Sequence, residues 1–172
     1  ICMDFMKRYA QWCEADIPAD VKSELAALAD DQEELKSRFG SDLLFGTAGM
    51  RGVMGVGSNR LNYYTVRRAA QGMAAWLLTT DLPKKAAIAY DSRHNSAAFA
   101  QTCAIALAEA GIRTYLYDRL APTPMLSYAV RELGCGCGIV ISASHNSGEY
   151  NGVKCYGPDG CQMTDEPAAV VT

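Results

Sequence analysis

After Gly40 the chain alternates short apolar runs with longer segments of helical spacing, and this alternation is what most limits its fold. "KAAIAYD" (Lys85 to Asp91), "RTYLYD" (Arg113 to Asp118), "GIVIS" (Gly138 to Ser142) and "GVKCY" (Gly152 to Tyr156) read as strands. Between Asn62 and Thr79, Val66, Ala69, Ala70, Met73, Ala74 and Leu77 recur at helical intervals. Phe99, Cys103 and Leu107 repeat the pattern ahead of a closing Gly111. A further helix opens with Thr123 as cap and Pro124 at its first position, carries Met125, Leu126, Ala129, Val130 and Leu133 on its apolar face, and stops before Gly134. Strand-helix units of this length predict an α/β domain: a three-layer α/β/α arrangement with a mostly parallel, mixed sheet.

Residues 1–40 have a different texture and read as a helical N-terminal extension of two helices. Asp20 caps one with Val21, Leu25 and Leu28 on a common face; Asp30 or Asp31 opens a second, acidic one that ends at Gly40. The α/β domain then occupies 41–172. Thr164, Asp165, Glu166 and Pro167 look like one more helix start, cut short at Thr172, so the chain is expected to be a fragment of a longer multidomain protein.

Composition excludes several classes. The formal charge is −3 and the 16 basic residues form no tract, which gives no basis for nucleic-acid binding. No apolar stretch is long enough to span a membrane, and Ile1 to Tyr9, with Asp4 and Lys7, lacks a signal-peptide core. Seven cysteines, no CxxC and only two histidines fit no closed zinc site. They are expected to be reduced and buried, as in a cytoplasmic protein.

In an open, largely parallel sheet, ligands collect beyond the carboxyl ends of the strands. Three polar loops lie there: Asp91 to Ser96, Asp118 to Thr123, and Ser142 to Asn151. The last contains Ser144, His145 and Asn146, with glycines at 148 and 152 and a lysine, Lys154, shortly after. A solvated loop and a nucleophilic serine are both compatible with that composition. A hydrolytic serine would need an elbow of the GxSxG kind, which is missing around Ser144. A phosphoryl carrier would need cations and amide groups about its oxygen, and His145 and Lys154 suit that role.

"LLFGTAGMRGVMGVGSNRLN" (Leu43 to Asn62) sets a single early cation, Arg51, among glycines at 46, 49, 52, 55 and 57. It fits neither the Walker pattern nor GxGxxG. It reads as a flexible connector or, with a modest edge, as a loop whose Arg51 grips a phosphate bidentately. "YDSRHNS" (Tyr90 to Ser96) reads as structural, with Asp91 and Asn95 or Ser96 as loop and capping residues and Arg93 paired to Asp91.

"FGTAGMRG" (Phe45 to Gly52), "AYDSR" (Ala89 to Arg93), "APTPMLSYAV" (Ala121 to Val130) and "SASHNSGEYNGVKCY" (Ser142 to Tyr156) occur in that order. Together they resemble the first domain of the α-D-phosphohexomutases, the phosphoglucomutase/phosphomannomutase family, over about Phe45 to Gln162. The helical preamble and "GVGSNRLNYYTVRRAAQGMA" are most similar to the bacterial branch that includes phosphopentomutase-like members. Ser142 and Ser147 stand where the family usually has threonine and proline.

The resemblance implies that Ser144 carries the phosphoryl group of a phosphosugar mutase interconverting glucose 1-phosphate and glucose 6-phosphate through a bisphosphorylated sugar, with glucose 1,6-bisphosphate as activator. Phosphomannomutase and phosphopentomutase are alternatives within the family, and a non-catalytic sugar-phosphate-binding module is the alternative outside it. Arg51 and Lys154 would stabilise charge and assist proton transfer, His145 would position the sugar hydroxyl, and Asn146 would support the loop. The resemblance also implies Mg²⁺ bound through the phosphate on Ser144, with its carboxylates supplied by the remaining domains. The fragment alone is expected to be inactive.

Overall fold

The computed structural model describes residues 4–46 and 49–163. The helix start expected at Thr164 to Pro167 lies outside them, as do Thr47 and Ala48 of the glycine-rich stretch. Five strands, β1 (Gly49–Val53), β2 (Lys85–Tyr90), β3 (Arg113–Leu116), β4 (Cys137–Ile141) and β5 (Tyr150–Tyr156), form one sheet in the order β1-β5-β4-β2-β3. β4, β2 and β3 run parallel, while β5 pairs antiparallel with both β4 and β1. The sheet is therefore mixed, with its parallel part at the β3 side.

Six helices accompany it: α1 (Asp4–Glu14), α2 (Ala19–Ala27), α3 (Gln32–Phe39), α4 (Tyr63–Leu78), α5 (Ser96–Glu109) and α6 (Thr123–Glu132). α4 and α5 cover one face, burying Met73, Leu77, Phe99, Cys103 and Leu107 against Ile88, Ile139, Ile141, Val153 and Cys155. α6 covers the other, setting Leu126, Ala129 and Val130 against Ala87, Ala89 and Val140. That is the three-layer order expected, and strand periodicity explains it: alternate residues of β2, β4 and β5 enter opposite clusters.

Four local readings are corrected. The first forty residues hold three helices, because α1 buries Phe5 and packs Tyr9 and Trp12 against Phe39. Asp20 lies in the first turn of α2, after Pro18 as cap, where its charge suits the helix dipole. α6 begins one residue early, at Thr123, capped by Pro122, and its outer flanks leave Met125 and Leu133 exposed. Cys13 and Cys161 are exposed, although Cys103, Cys135, Cys137 and Cys155 are buried and every described cysteine is free. Burial pushes the Cys103 and Cys137 thiols up to about 12, so both stay protonated and behave as apolar groups. Among the described residues, no helix is long and apolar enough to cross a membrane.

The N-terminal helices grip the segment between β1 and α4. Arg38 Nη1 donates to Glu24 Oε1 (2.7 Å) and to the Val56 carbonyl (3.3 Å), and Val56 N donates to the same Glu24 oxygen (3.1 Å). Asn62 closes that segment onto α4. Its Oδ1 accepts from Tyr64 N and Thr65 N, both at 3.0 Å, while Nδ2 donates to the carbonyls of Gly55 and Gly57, both at 2.9 Å. Asn62→Ala removes a helix cap and the side-chain donor to the Gly55 carbonyl, while Gly57 keeps its bond from Arg60 N, so it is expected to cost about 2–3 kcal/mol. Urea unfolding with an unchanged m-value would show this, and a loss below about 0.5 kcal/mol would contradict the assignment.

Candidate active site

The stretch around Arg51 is a strand, not the flexible loop its glycines imply. β1 lies antiparallel to β5 with Gly49 opposite Lys154 and Arg51 opposite Gly152. Each cation thus faces a glycine across the pair, and all four residues share one side of the sheet. The other register position, Met50 opposite Val153, turns into the α4/α5 core. The approach of these strands requires the glycines. A Cβ on Gly49, whose φ is +142°, would lie 1.9 Å from the Val153 carbonyl oxygen. One on Gly152 would meet the carbonyl oxygens of Met50 and Ser142 at 2.9 Å.

α6 packs mainly over β2 and β4 on this side and meets β5 at Tyr156, while none of its residues lines the space above Arg51 and Lys154. A small pocket of about 160 Å³ opens there, lined by Gly49, Met50, Arg51, Ser142, Val153, Lys154 and Gln162.

The β4–β5 loop borders this pocket. Ser144 has φ 55°, in the left-handed region where a side chain other than glycine is strained. Its N–H donates to Ser142 Oγ (3.0 Å), and Lys154 Nζ donates to its Oγ (2.6 Å). Arg51 Nη1 donates to Asn146 Oδ1 (2.8 Å). The structure therefore brings Ser144, Lys154, Arg51 and Asn146 together, while His145 stands exposed in the same loop. Desolvation lowers the Lys154 pKa from its ordinary value; the nearby Arg51 charge lowers it further and Asp91 opposes the shift.

Two residues that sequence reasoning did not assign to the site hold the loop in place. Arg93 Nη2 donates to the carbonyls of Ser144 (2.8 Å) and Asn146 (2.5 Å), and Nη1 to those of Ser147 (2.8 Å) and Tyr150 (3.1 Å). It also keeps the expected pairing with Asp91, at 3.5 Å. Asn151 is fully buried, donates to the His94 carbonyl (3.0 Å) and to Ser96 Oγ (2.9 Å), and accepts from Gly152 N (2.8 Å). Ser96 Oγ in turn donates to Asp91 Oδ1 (2.7 Å). Asn95 sits before α5 with φ 62° and makes no side-chain cap. The one sequence signal for Asn151 was its place at the close of the polar loop from Ser142, directly before an apolar run.

No group of three or more His, Cys, Asp or Glu among the described residues could hold a metal ion. The donors present here do not by themselves make a Mg²⁺ site, because this ion prefers several oxygen ligands in octahedral array.

Fold and site define a three-layer α/β domain that presents a strained serine and two cations beyond its parallel strands. A family model described as "Phosphoglucomutase/phosphomannomutase, alpha/beta/alpha domain I" matches residues 42–172. A phosphoglucomutase of Staphylococcus epidermidis is 45% identical over 141 residues, 81% of this chain and 26% of that protein. One from Staphylococcus aureus is 43% identical over 145 residues, 83% and 26% respectively. A solved structure from Thermus thermophilus, provisionally described as a phosphomannomutase, has a TM-score of 0.70 and 32% identity over 76% of this chain and 29% of its own. A phosphoglucomutase/phosphomannomutase family protein from Burkholderia thailandensis shares the fold, with a TM-score of 0.65 over the same fractions and 22% identity. The chain belongs to the phosphoglucomutase/phosphomannomutase family, as its domain I. It spans about a quarter of the length of the curated relatives it matches.

The Lys154 ammonium is disfavoured in the folded state, so its cost to stability is full below its lowered pKa and disappears as pH rises to the ordinary lysine value, 10.5. Lys154→Met is therefore expected to be more stable than the parent at pH 7, with the gap narrowing toward pH 10.5. Thermal unfolding across this range measures it. A Lys154→Met protein less stable at pH 7 by about 1 kcal/mol or more, the worth of one hydrogen bond, would reverse the sign of the effect.

Proposed function

We propose that this chain is the phosphoserine-bearing part of a phosphosugar mutase that interconverts glucose 1-phosphate and glucose 6-phosphate, with Ser144 as the phosphoryl carrier. The observation that carries the reading is the 2.6 Å contact of Lys154 Nζ with Ser144 Oγ, on a serine held at φ 55°. Phosphoryl transfer asks a protein mainly to position groups and to offset charge, and among the described residues this site sets two cations, not a carboxylate cluster, about the serine.

The chain's own residues divide the work. With Ser144 phosphorylated, the phosphorus–Oγ bond breaks as a bond from phosphorus to a sugar hydroxyl oxygen forms. The released Oγ takes a proton from the Lys154 ammonium, and the proton of the sugar hydroxyl replaces it on the amine, so the transfer closes without a further base. A lowered pKa makes the ammonium proton easier to give. Arg51 offsets charge on the moving group and, through Asn146, steadies the loop; His145 positions the sugar hydroxyl. The bisphosphorylated sugar then turns round and returns its other phosphate to Ser144 by the reverse steps. Mg²⁺ would neutralise phosphate charge, held through the Ser144 phosphate and carboxylates outside this chain. A protein of this kind, with free buried thiols, belongs in a reducing cytoplasm.

The parent protein is expected to carry one labile phosphate, lost in Ser144→Ala, and to turn over glucose 1-phosphate on the order of 10 per second with Mg²⁺ and glucose 1,6-bisphosphate. The present chain alone is expected to show no turnover. Intact-protein mass spectrometry and a coupled assay test both statements. A phosphate that survives Ser144→Ala would remove the serine from its role, and sugar-phosphate binding without turnover in the parent protein would make it a sensor instead.

A further inference from the structure

Four carbonyl oxygens of the loop that bears Ser144 turn toward one guanidinium. Arg93 leaves β2 on the turn after Asp91 and reaches residues more than fifty positions later: Ser144, Asn146, Ser147 and Tyr150. Its side chain is mostly buried, and Asp91 fixes its base by accepting from Arg93 N (3.0 Å) and lying 3.5 Å from Nε. Only a planar fork with five donors can satisfy so many acceptors from one position; an ammonium has three and no fixed geometry.

The arrangement has a second consequence. In a trans peptide the carbonyl of one residue and the N–H of the next point in opposite directions. Carbonyls of Ser144, Asn146 and Ser147 drawn to Arg93 therefore turn the N–H groups of His145, Ser147 and Gly148 away from it. Successive N–H groups on one side of a loop make a concavity suited to an anion. The same pull opposes relaxation of Ser144 from its left-handed φ of 55°, a conformation that persists only where surrounding structure enforces it.

We infer that Arg93 is a positioning residue for phosphoryl transfer, which holds the Ser144 loop in its strained, anion-facing form without touching the transferred group. This rests on Ser144 being the phosphoryl carrier. Lys154 holds the serine hydroxyl; Arg93 holds the backbone that aims it.

The test uses the full-length parent protein with Arg93→Gln, Arg93→Lys and Arg93→Ala, each compared at a temperature where circular dichroism shows it folded. Hydrogen exchange of residues 142–150 reads the clamp independently of any activity. It is expected to quicken at least about 10-fold in Arg93→Gln while the amides of β4 and α5 keep their protection. Unchanged exchange in this loop would overturn the inference whether or not the protein is a mutase. In the activity arm, kcat is expected to fall about 100-fold, the scale of a small misplacement of reacting groups, with KM within about 3-fold. Arg93→Lys should recover little of the loss, and added guanidinium ion should restore part of it in Arg93→Ala. A folded Arg93→Gln protein with parental kcat would also overturn it, whereas a parent protein lacking both turnover and Ser144 phosphate would sink the mutase reading instead, leaving the exchange result to decide the clamp.

Discussion

The antiparallel pairing of β1 with β5 is the constraint on which the rest of the site depends. Gly49 opposite Lys154 and Arg51 opposite Gly152 leave each cation facing a bare backbone, so the two long side chains share a face with nothing between them. The pairing tolerates no substitute at Gly49, where a Cβ would lie 1.9 Å from the Val153 carbonyl oxygen. Because β5 is also antiparallel to β4, the connection between them is a tight return at the carboxyl end of a parallel strand. That return is the Ser144 loop. One strand thus supplies Lys154, anchors Arg51 through its neighbour, and fixes where the serine loop ends.

The layering then decides which side is open. α4 and α5 close one face with large apolar side chains, whereas α6 packs on β2, β4 and the Tyr156 end of β5. β5 contributes Val153 and Cys155 to the closed face and Lys154 to the other, a consequence of strand alternation. Exposing Lys154 fully would spare its desolvation but would release the contact with Ser144. The site keeps the cation half-buried beside another cation, a local arrangement that opposes stability and is held by the glycine-lined pairing and the buried core beneath.

Much of this was legible in the sequence because the signals were local. β2, β3, β4 and helices α4 and α5 followed from periodicity and punctuating glycines, and the serine loop followed from its place after an apolar strand. β1 was not legible: "GMRGV" has two glycines in five residues, a composition that disfavours strands, and it becomes one only through β5. α1 was missed because its aromatic stripe finds its partners far along the chain, with Trp12 5.1 Å from Tyr64 and 6.0 Å from Phe39. Arg93 was half-read. Its pairing with Asp91 was visible two residues away, but its main partners are backbone carbonyls, which residue identities do not encode. Met125 and Leu133 fit a helical face by spacing, yet the stripe that reaches the sheet is only Leu126, Ala129 and Val130 wide.

The electrostatics of the site separate it from hydrolytic serines. A serine activated for acyl transfer has a histidine base oriented by a carboxylate. Here the group on Ser144 Oγ is Lys154, and the next charge is a second cation, Arg51. A protonated Lys154 cannot accept the serine's proton and a guanidinium is no base, so neither cation supplies the general base that an alkoxide nucleophile requires. They favour the opposite situation, in which the oxygen carries an anionic group. A phosphate on Oγ would meet Lys154 directly, lie within the field of Arg51, and offset the repulsion between them. The charge that depresses the lysine pKa in the unmodified chain would then be opposed by an added negative charge, raising that pKa again. Loss of the phosphoryl group to a sugar would lower it at the moment Oγ needs a proton, so the state of the serine itself would set when Lys154 gives its proton up.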